Sequence, residues 1–120
     1  MPDDRIAAFR SFALSLPEAV ELPHFERASF RVRKRIFATL RASDGMAVLK
    51  LPREEQAALV AMHPEVYAVT PWGHQGWTSV DLDRADPVEL RELIVEAWRG
   101  VAPKRLVTAH DAPSLRGGGR

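Results

Sequence analysis

The fold of this chain is decided by residues 28–41, which read ASFRVRKRIFATLR. Ala28, Phe30 and Val32 alternate with polar residues, and alternation resumes after the basic triplet Arg33-Lys34-Arg35. A period of two is the pattern of a half-buried β-strand. The segment therefore predicts two antiparallel strands joined near the triplet. In the second strand the pattern assigns one face to Ile36, Ala38 and Leu40 and the other to Phe37, Thr39 and Arg41.

The strand pattern extends over Val20–Leu51, where Ser43-Asp44-Gly45 has the composition of a turn. This region predicts an antiparallel meander of about four short strands. Two further strands are expected at Val66–Val69 and Trp77–Leu82. Helical spacing of apolar residues predicts helices over Asp3–Leu16, Arg53–Met62 and Asp86–Val101.

This order of elements predicts an α+β fold, in which an antiparallel meander is flanked by N- and C-terminal helices with a middle helix between them. The two end helices would pack on one face of the sheet and leave the other face partly solvated. Because the helical pattern stops after Leu106, we expect one domain over residues 1–106 and a flexible tail over 107–120, which holds three consecutive glycines.

The composition excludes several classes of chemistry. The chain has no cysteine, which excludes disulfide frameworks, thiol nucleophiles, Cys-ligated zinc and iron–sulfur centres. No apolar run approaches the roughly 20 residues of a membrane span, and the N-terminus lacks the pattern of a secretory signal. These features predict a cytoplasmic protein without membrane association.

The net charge of +1 conceals two regions of opposite sign. Residues 24–53 hold eight basic and two acidic side chains, and residues 54–101 hold nine acidic side chains and three arginines. The meander is therefore the positive element of the chain, and the last helix is the negative one.

The meander places its bases where they could contact phosphate. If Phe30 and Val32 point inward, Arg31 and Arg33 share the outer face, and Lys34 and Arg35 follow at the hairpin tip. A basic hairpin can track the backbone of a nucleic acid. The alternative is a solvated strand face that prevents edge pairing, or one neutralised by the acidic last helix.

Residues 71–77, PWGHQGW, form the most unusual local composition. Trp72, His74 and Trp77 could form a stacking platform or the wall of a ligand pocket. In the alternative interpretation, which we favour for Trp77, this residue opens a strand and fills the core while the glycines shape a turn.

Motifs of known enzymes and metal sites are absent from the sequence. The phosphate-binding, dinucleotide, nucleophile-elbow and zinc-protease patterns are not found, and the histidines have no diagnostic ligand spacing. We therefore expect neither catalytic activity nor a metal or other cofactor.

Several stretches resemble, in order and spacing, the MmcQ/YjbR family of small bacterial proteins. They are Leu16-Pro17, Phe30-Arg31-Val32 before Ile36-Phe37-Ala38, Val48-Leu49-Lys50-Leu51 before Pro52-Arg53-Glu54-Glu55-Gln56, Gly76-Trp77 with Val80-Asp81-Leu82, and Leu90-Arg91-Glu92-Leu93 leading through Ala97-Trp98 to Ala102-Pro103-Lys104-Arg105-Leu106. The resemblance implies a frataxin-like α+β fold and a double-wing mode of DNA binding, without catalytic residues to carry over.

One departure from the family concerns the hairpin, where relatives often have glycine and this chain has Arg33-Lys34. Since a two-residue primed turn suits such residues poorly, we expect a longer loop or a turn compatible with side chains.

The sequence thus predicts a DNA-binding protein that contacts phosphates without reading bases, through Arg31, Arg33, Lys34, Arg35 and Arg41. The competing hypothesis is a non-catalytic module that binds a protein or small ligand through the Trp72–Trp77 loop. A homo-oligomer is not indicated.

Overall fold

The computed structural model describes the backbone of residues 2–71 and 73–118, and the side-chain environments of residues 4–71 and 74–111. In chain order, its helices are α1 (Pro2–Ser15), α2 (Arg53–Met62), α3 (Pro87–Val101) and α4 (Lys104–Gly118). Its strands are β1 (Val20–His24), β2 (Arg27–Val32), β3 (Arg35–Arg41), β4 (Met46–Lys50), β5 (Tyr67–Val69) and β6 (Trp77–Asp81). A single turn of 3-10 helix covers Gly73–Gln75.

All six strands form one antiparallel sheet in the order β1-β2-β3-β4-β6-β5. The predicted meander is its first four strands, and the α+β class is confirmed. Helices α1 and α3 pack against each other, and α3 lies on β3 and β4. We call the opposite side of the sheet the open face; Ser29, Thr39, Val48 and Ser79 mark one row across it at consecutive register positions.

The core lies between the sheet and these helices. Phe30 on β2 packs edge-to-face on Phe9 of α1, with ring centroids 5.7 Å apart. Trp98 of α3 is fully buried and donates its indole N–H to the Pro17 carbonyl oxygen at 3.0 Å. This contact joins α3 to the segment that connects α1 with β1.

A β-bulge changes the predicted face of two residues on β3. Ala38 pairs with Phe30 while Ile36 pairs with Arg31, so Phe37 is the extra residue of the bulge. The prediction for Ile36 and Phe37 is therefore wrong: Phe37 is fully buried in the core, and Ile36 lies half-buried on the open face. The alternation seen in the sequence assumes a regular ladder, which a bulge interrupts.

The last helix begins as its sequence predicts. The Asp86 side chain accepts a hydrogen bond from the Glu89 backbone N–H at 2.9 Å, and Pro87 occupies the first helical position. Both features are favoured at a helix N-terminus.

The C-terminal region differs from the predicted tail over residues 107–120. Residues 104–118 are helical, and the last two residues lie outside the described part of the chain. Leu106 and Val107 pack on the core, and Arg99 of α3 donates to Asp111 of α4 at 2.7 Å. These tertiary contacts stabilise a helix whose apolar periodicity is too weak to identify it from sequence.

Candidate nucleic-acid interface and the cleft of the open face

The β2–β3 hairpin closes through a two-residue turn, whereas a longer loop or a turn compatible with side chains was expected. Val32 pairs with Arg35, and the turn residues Arg33 and Lys34 have φ angles of 50° and 76°. Positive φ at both positions is the requirement of a type I′ turn. Side chains other than Gly and Asn are strained there, by roughly 1–3 kcal/mol per residue. The tight connection holds the two basic residues at the tip of the hairpin.

Two of the predicted phosphate-binding arginines already have carboxylate partners. Arg33 donates to Glu18 at 2.8 and 3.2 Å, and Arg41 donates to Asp44 at 2.8 Å. The hydrogen bond from Arg33 lowers the pKa of Glu18, and that from Arg41 lowers the pKa of Asp44. Both acids belong to the same half of the chain, so the expectation that the acidic last helix would neutralise these bases is wrong.

The other three predicted bases have no carboxylate partner among the described residues. Arg31 is half-buried on the open face, where its Nε donates to the Ser29 hydroxyl at 2.8 Å. Lys34 and Arg35 are exposed. These three side chains, all on the β2–β3 hairpin, retain their charge for an anionic partner.

The five predicted bases do not share one face of the sheet. Arg31 and Arg41 lie on the open face, and Arg33 and Lys34 occupy the turn. Arg35 is the register partner of the buried Val32, which places it at the rim of the face that carries the helices. The prediction that Arg31 and Arg33 share an outer face is therefore wrong, because the strand ends before Arg33.

Two further bases on the open face, Arg27 and Lys50, were not predicted as site residues. Arg27 is a neighbour of the predicted Arg41 on the adjacent strand, because the two arginines flank the register pair Ala28 and Leu40. Lys50 pairs with Trp77, and its Nζ lies 5.8 Å from the centre of the indole ring. Arg27 could have been found from its four-residue spacing to Arg31 on one strand, but the pairing of β4 with β6 carries no local signal.

The three residues predicted as a ligand loop, Trp72, His74 and Trp77, differ in their environments. Trp72 lies outside the described residues. His74 is exposed in the 3-10 turn, and its Nε2 lies 3.3 Å from the Gln75 side-chain nitrogen. Trp77 opens β6 as expected but lies half-buried on the open face, so the prediction that it fills the core is wrong.

Gly76 determines the position of Trp77. Its φ is +91°, and a Cβ atom there would lie 2.0 Å from the Leu51 carbonyl oxygen. The same glycine accepts a hydrogen bond from the Leu51 N–H at 2.9 Å. Only glycine permits this approach of two backbones, which sets the start of β6 beside the end of β4.

A cleft of about 650 Å³ lies on the open face. One wall is the β1–β2 hairpin with Phe25 and Arg27, and the opposite wall is formed by Trp77 and the chain after β5. The floor includes Ile36 and Val48 from the middle strands. The cleft therefore brings the basic strand β2 and one predicted loop residue, Trp77, to the same concave surface.

In the part of the chain that the structure describes, no three His, Asp or Glu side chains converge to hold a metal ion. No described helix combines the length and the apolar character that crossing a membrane requires.

Comparisons with known proteins identify the fold and the family to which the sequence motifs point. A model of the YjbR family matches residues 14–100. A search of curated proteins finds no match. The chain is similar to the crystal structure of Deinococcus radiodurans protein DR2400, described with domain DUF419, at a TM-score of 0.72 and 26% identity. The alignment covers 79% of this chain and 76% of that one.

Proposed function

The chain belongs to the YjbR family, and from this premise we propose that it binds double-stranded DNA through its phosphates, without reading bases. The contact surface is the β2–β3 hairpin, as in the double-wing mode that the family resemblance implies. The proposal includes no catalytic step and no cofactor.

The proposal rests on the observation that three basic side chains of the β2–β3 hairpin are not neutralised by a carboxylate. Arg31, Lys34 and Arg35 have no carboxylate partner among the described residues, although acids outnumber bases in the rest of the chain. Cations that neutralise phosphates release condensed counterions, which supplies most of the free energy of non-specific DNA binding.

Arg33 and Arg41 have a secondary part in this function. Each must exchange a carboxylate for a phosphate, so its net gain on binding is smaller than that of an unpaired base. The type I′ turn still presents Lys34 at the end of the hairpin, where its side chain is exposed to an approaching duplex.

Specific base recognition is not part of the proposal. Asn and Gln side chains, which commonly read adenine in the major groove, are absent from the whole segment 27–41. Arginine can contact guanine, but exposed guanidinium groups at a hairpin tip equally suit phosphate oxygens.

Fluorescence anisotropy with a labelled duplex tests the proposal. The variant Arg31→Gln/Lys34→Gln/Arg35→Gln removes three unpaired charges of the hairpin. The matched control is Arg84→Gln/Arg91→Gln/Lys104→Gln, which removes the same charge from exposed positions outside the hairpin. We expect the hairpin variant to lose DNA binding by more than about tenfold and the control to lose much less. Equal losses would contradict a hairpin interface.

The position of Trp77 favours a second candidate function, a non-catalytic module that binds a small ligand. Trp77 forms a wall of the open-face cleft instead of filling the core. A small-molecule site is concave and mostly apolar with a few polar groups, and its volume is roughly 300–1,000 Å³. A ligand-dependent shift of tryptophan fluorescence that Trp72→Phe abolishes would place that ligand on the loop.

A further inference from the structure

The floor of the open-face cleft contains a buried hydroxyl without a partner. Thr39 is 8% exposed, and its Oγ1 has no hydrogen-bond partner among the described residues. The other buried polar side chains, Ser29, Gln56 and Thr78, all make hydrogen bonds. An unpaired buried hydroxyl is destabilising. Because the Oγ1 atom itself is shielded, a group in the cleft pairs with it only once the Thr39 side chain rotates toward the cleft.

The chemistry of the cleft rim favours an anion. Arg27 lies in the wall beside the floor and has no carboxylate partner in the described part of the chain. Arg41, its neighbour on β3, also lines the cleft, and its bond to Asp44 holds the guanidinium in place. On the far side, the Lys50 ammonium group lies over Trp77. Two arginines therefore line the cleft itself, and Lys50 contacts the indole of its far wall without lining the cleft.

Between these charges the surface is apolar. Ile36 and Val48 are half-buried on the floor, and Trp77 offers an indole to a planar group. Phe25 stands at the tip of the β1–β2 hairpin with 93% of its surface exposed and a φ of 59°. A positive φ of this kind belongs to a two-residue hairpin turn, and strained backbone also occurs at ligand clamps.

We propose that this cleft binds a small aromatic carboxylic acid. The carboxylate pairs with Arg27 and Arg41, and the ring lies on Ile36 and Val48 against Trp77. A polar substituent on the ring hydrogen-bonds to Thr39 after a rotation about its Cα–Cβ bond. The inference rests on the second candidate function in placing a ligand beside Trp77, and Arg41 is the one base that it shares with the proposed DNA-binding surface.

Backbone-amide NMR titration with p-coumarate, which has one carboxylate and one phenol, tests the proposal on the full chain. We expect shifts at Thr39, Val48 and Ser79 at millimolar concentration. p-Coumaramide, which lacks the charge, should bind about tenfold more weakly. No shifts at millimolar p-coumarate, equal binding of the acid and the amide, or shifts confined to the α1–α3 surface would each overturn the proposal.

Variants separate the two polar contacts. Arg27→Gln/Arg41→Gln should weaken p-coumarate about tenfold and leave p-coumaramide unchanged, whereas Arg91→Gln, on the helical side, should change neither. Thr39→Val keeps the side-chain shape and should reduce the affinity for p-coumarate to that of cinnamate, which lacks the phenol. If Thr39→Val left the preference for p-coumarate over cinnamate intact, the assigned role of Thr39 would be wrong. Amide shifts at His74 and Gln75 without any at Thr39 would overturn the proposal that the cleft binds the acid, and would place the ligand on the loop instead.

Discussion

Arg33, at the tip of the β2–β3 hairpin, donates two hydrogen bonds to Glu18, at distances of 2.8 and 3.2 Å. Glu18 follows the C-terminus of α1 and itself has a φ of 60°. The pair links the hairpin turn to the segment between α1 and β1. Arg33 is one of the cations of the proposed DNA-binding surface, and it is already paired with Glu18. Glu18 therefore competes with phosphate for Arg33.

Replacement of Glu18 by Gln should therefore strengthen DNA binding. The variant frees Arg33 for a phosphate, which should raise the affinity severalfold at low salt and steepen the salt dependence by about 0.9. Anisotropy titrations across salt concentrations measure both effects. The matched control is Glu21→Gln, which removes the same charge from a pair with Arg10, outside the hairpin. If both variants gained affinity equally, the effect would be one of net charge and not of a released Arg33.

The turn Arg33-Lys34 should be a site of stored strain. Arg33→Asn/Lys34→Gly introduces the residues that a type I′ turn prefers, and we expect the free energy of unfolding to rise by about 1–2 kcal/mol. The control Arg33→Gln/Lys34→Gln removes the same charges without relieving the strain. Denaturant unfolding measures all three proteins. A loss of stability in the Asn-Gly variant would show that the turn is not of this type.

Replacement of Gly45, Gly76 or Gly100 by alanine should change the free energy of unfolding by different amounts. Gly76→Ala brings a Cβ onto the Leu51 carbonyl oxygen at a positive φ, and should destabilise the fold by about 2–4 kcal/mol. Gly45 has a φ of +68° in open space, so Gly45→Ala should lose only about 1–2 kcal/mol. Gly100 lies inside α3 in open space, and Gly100→Ala should gain up to about 1 kcal/mol. Any other order of the three unfolding free energies contradicts the geometry around Gly76.

Tyr67 should make the stability of the protein sensitive to alkaline pH. Burial and a 2.7 Å hydrogen bond to Glu89 raise the pKa of Tyr67 well above its usual range. As pH rises, the Tyr67 phenol keeps its proton to a higher pH in the native state than in the unfolded state. Its contribution to the free energy of unfolding is therefore complete below about pH 10 and is lost as pH rises through the native pKa.

The tyrosine content makes this titration simple to follow. Tyr67 is the only tyrosine in the chain, so tyrosinate absorbance reports its ionisation directly. Tyr67→Phe should reduce the free energy of unfolding by about 1–2 kcal/mol at neutral pH and flatten its decline at alkaline pH. Ionisation near the ordinary tyrosine pKa in the native protein would contradict the buried hydrogen bond.

Local patterns were sufficient for every element except α4 and the single 3-10 turn, but not for the faces of the sheet. Alternation over Ala28–Val32 and the capping sequence at Asp86 predicted β2 and the start of α3, since both signals lie within a few residues. The bulge at Phe37 could not be predicted, because it depends on the register with β2. Side chains that follow it along the strand keep their alternation, whereas Ile36 changes face.

The candidate sites were predictable to the extent that they are local. The basic hairpin is contiguous in sequence, so its residues were identified, but its carboxylate partners Glu18 and Asp44 depend on folded geometry. All six strands contribute residues to the cleft, and they are brought together only by the complete sheet. For this reason the sequence around Thr39, an ordinary strand pattern, does not predict that this residue lies on the cleft floor.

The salt dependence of DNA affinity tests the central claim most directly. A protein that contacts about four phosphates should show a slope of log K against log salt of about −3.6, and loss of three contacts should bring it to about −0.9. We therefore predict a shallow slope for Arg31→Gln/Lys34→Gln/Arg35→Gln and a slope near that of the unaltered protein for Arg84→Gln/Arg91→Gln/Lys104→Gln. If the two triple variants had the same slope, or if the unaltered protein bound duplex DNA with no dependence on salt, the hairpin would not be a phosphate-binding surface.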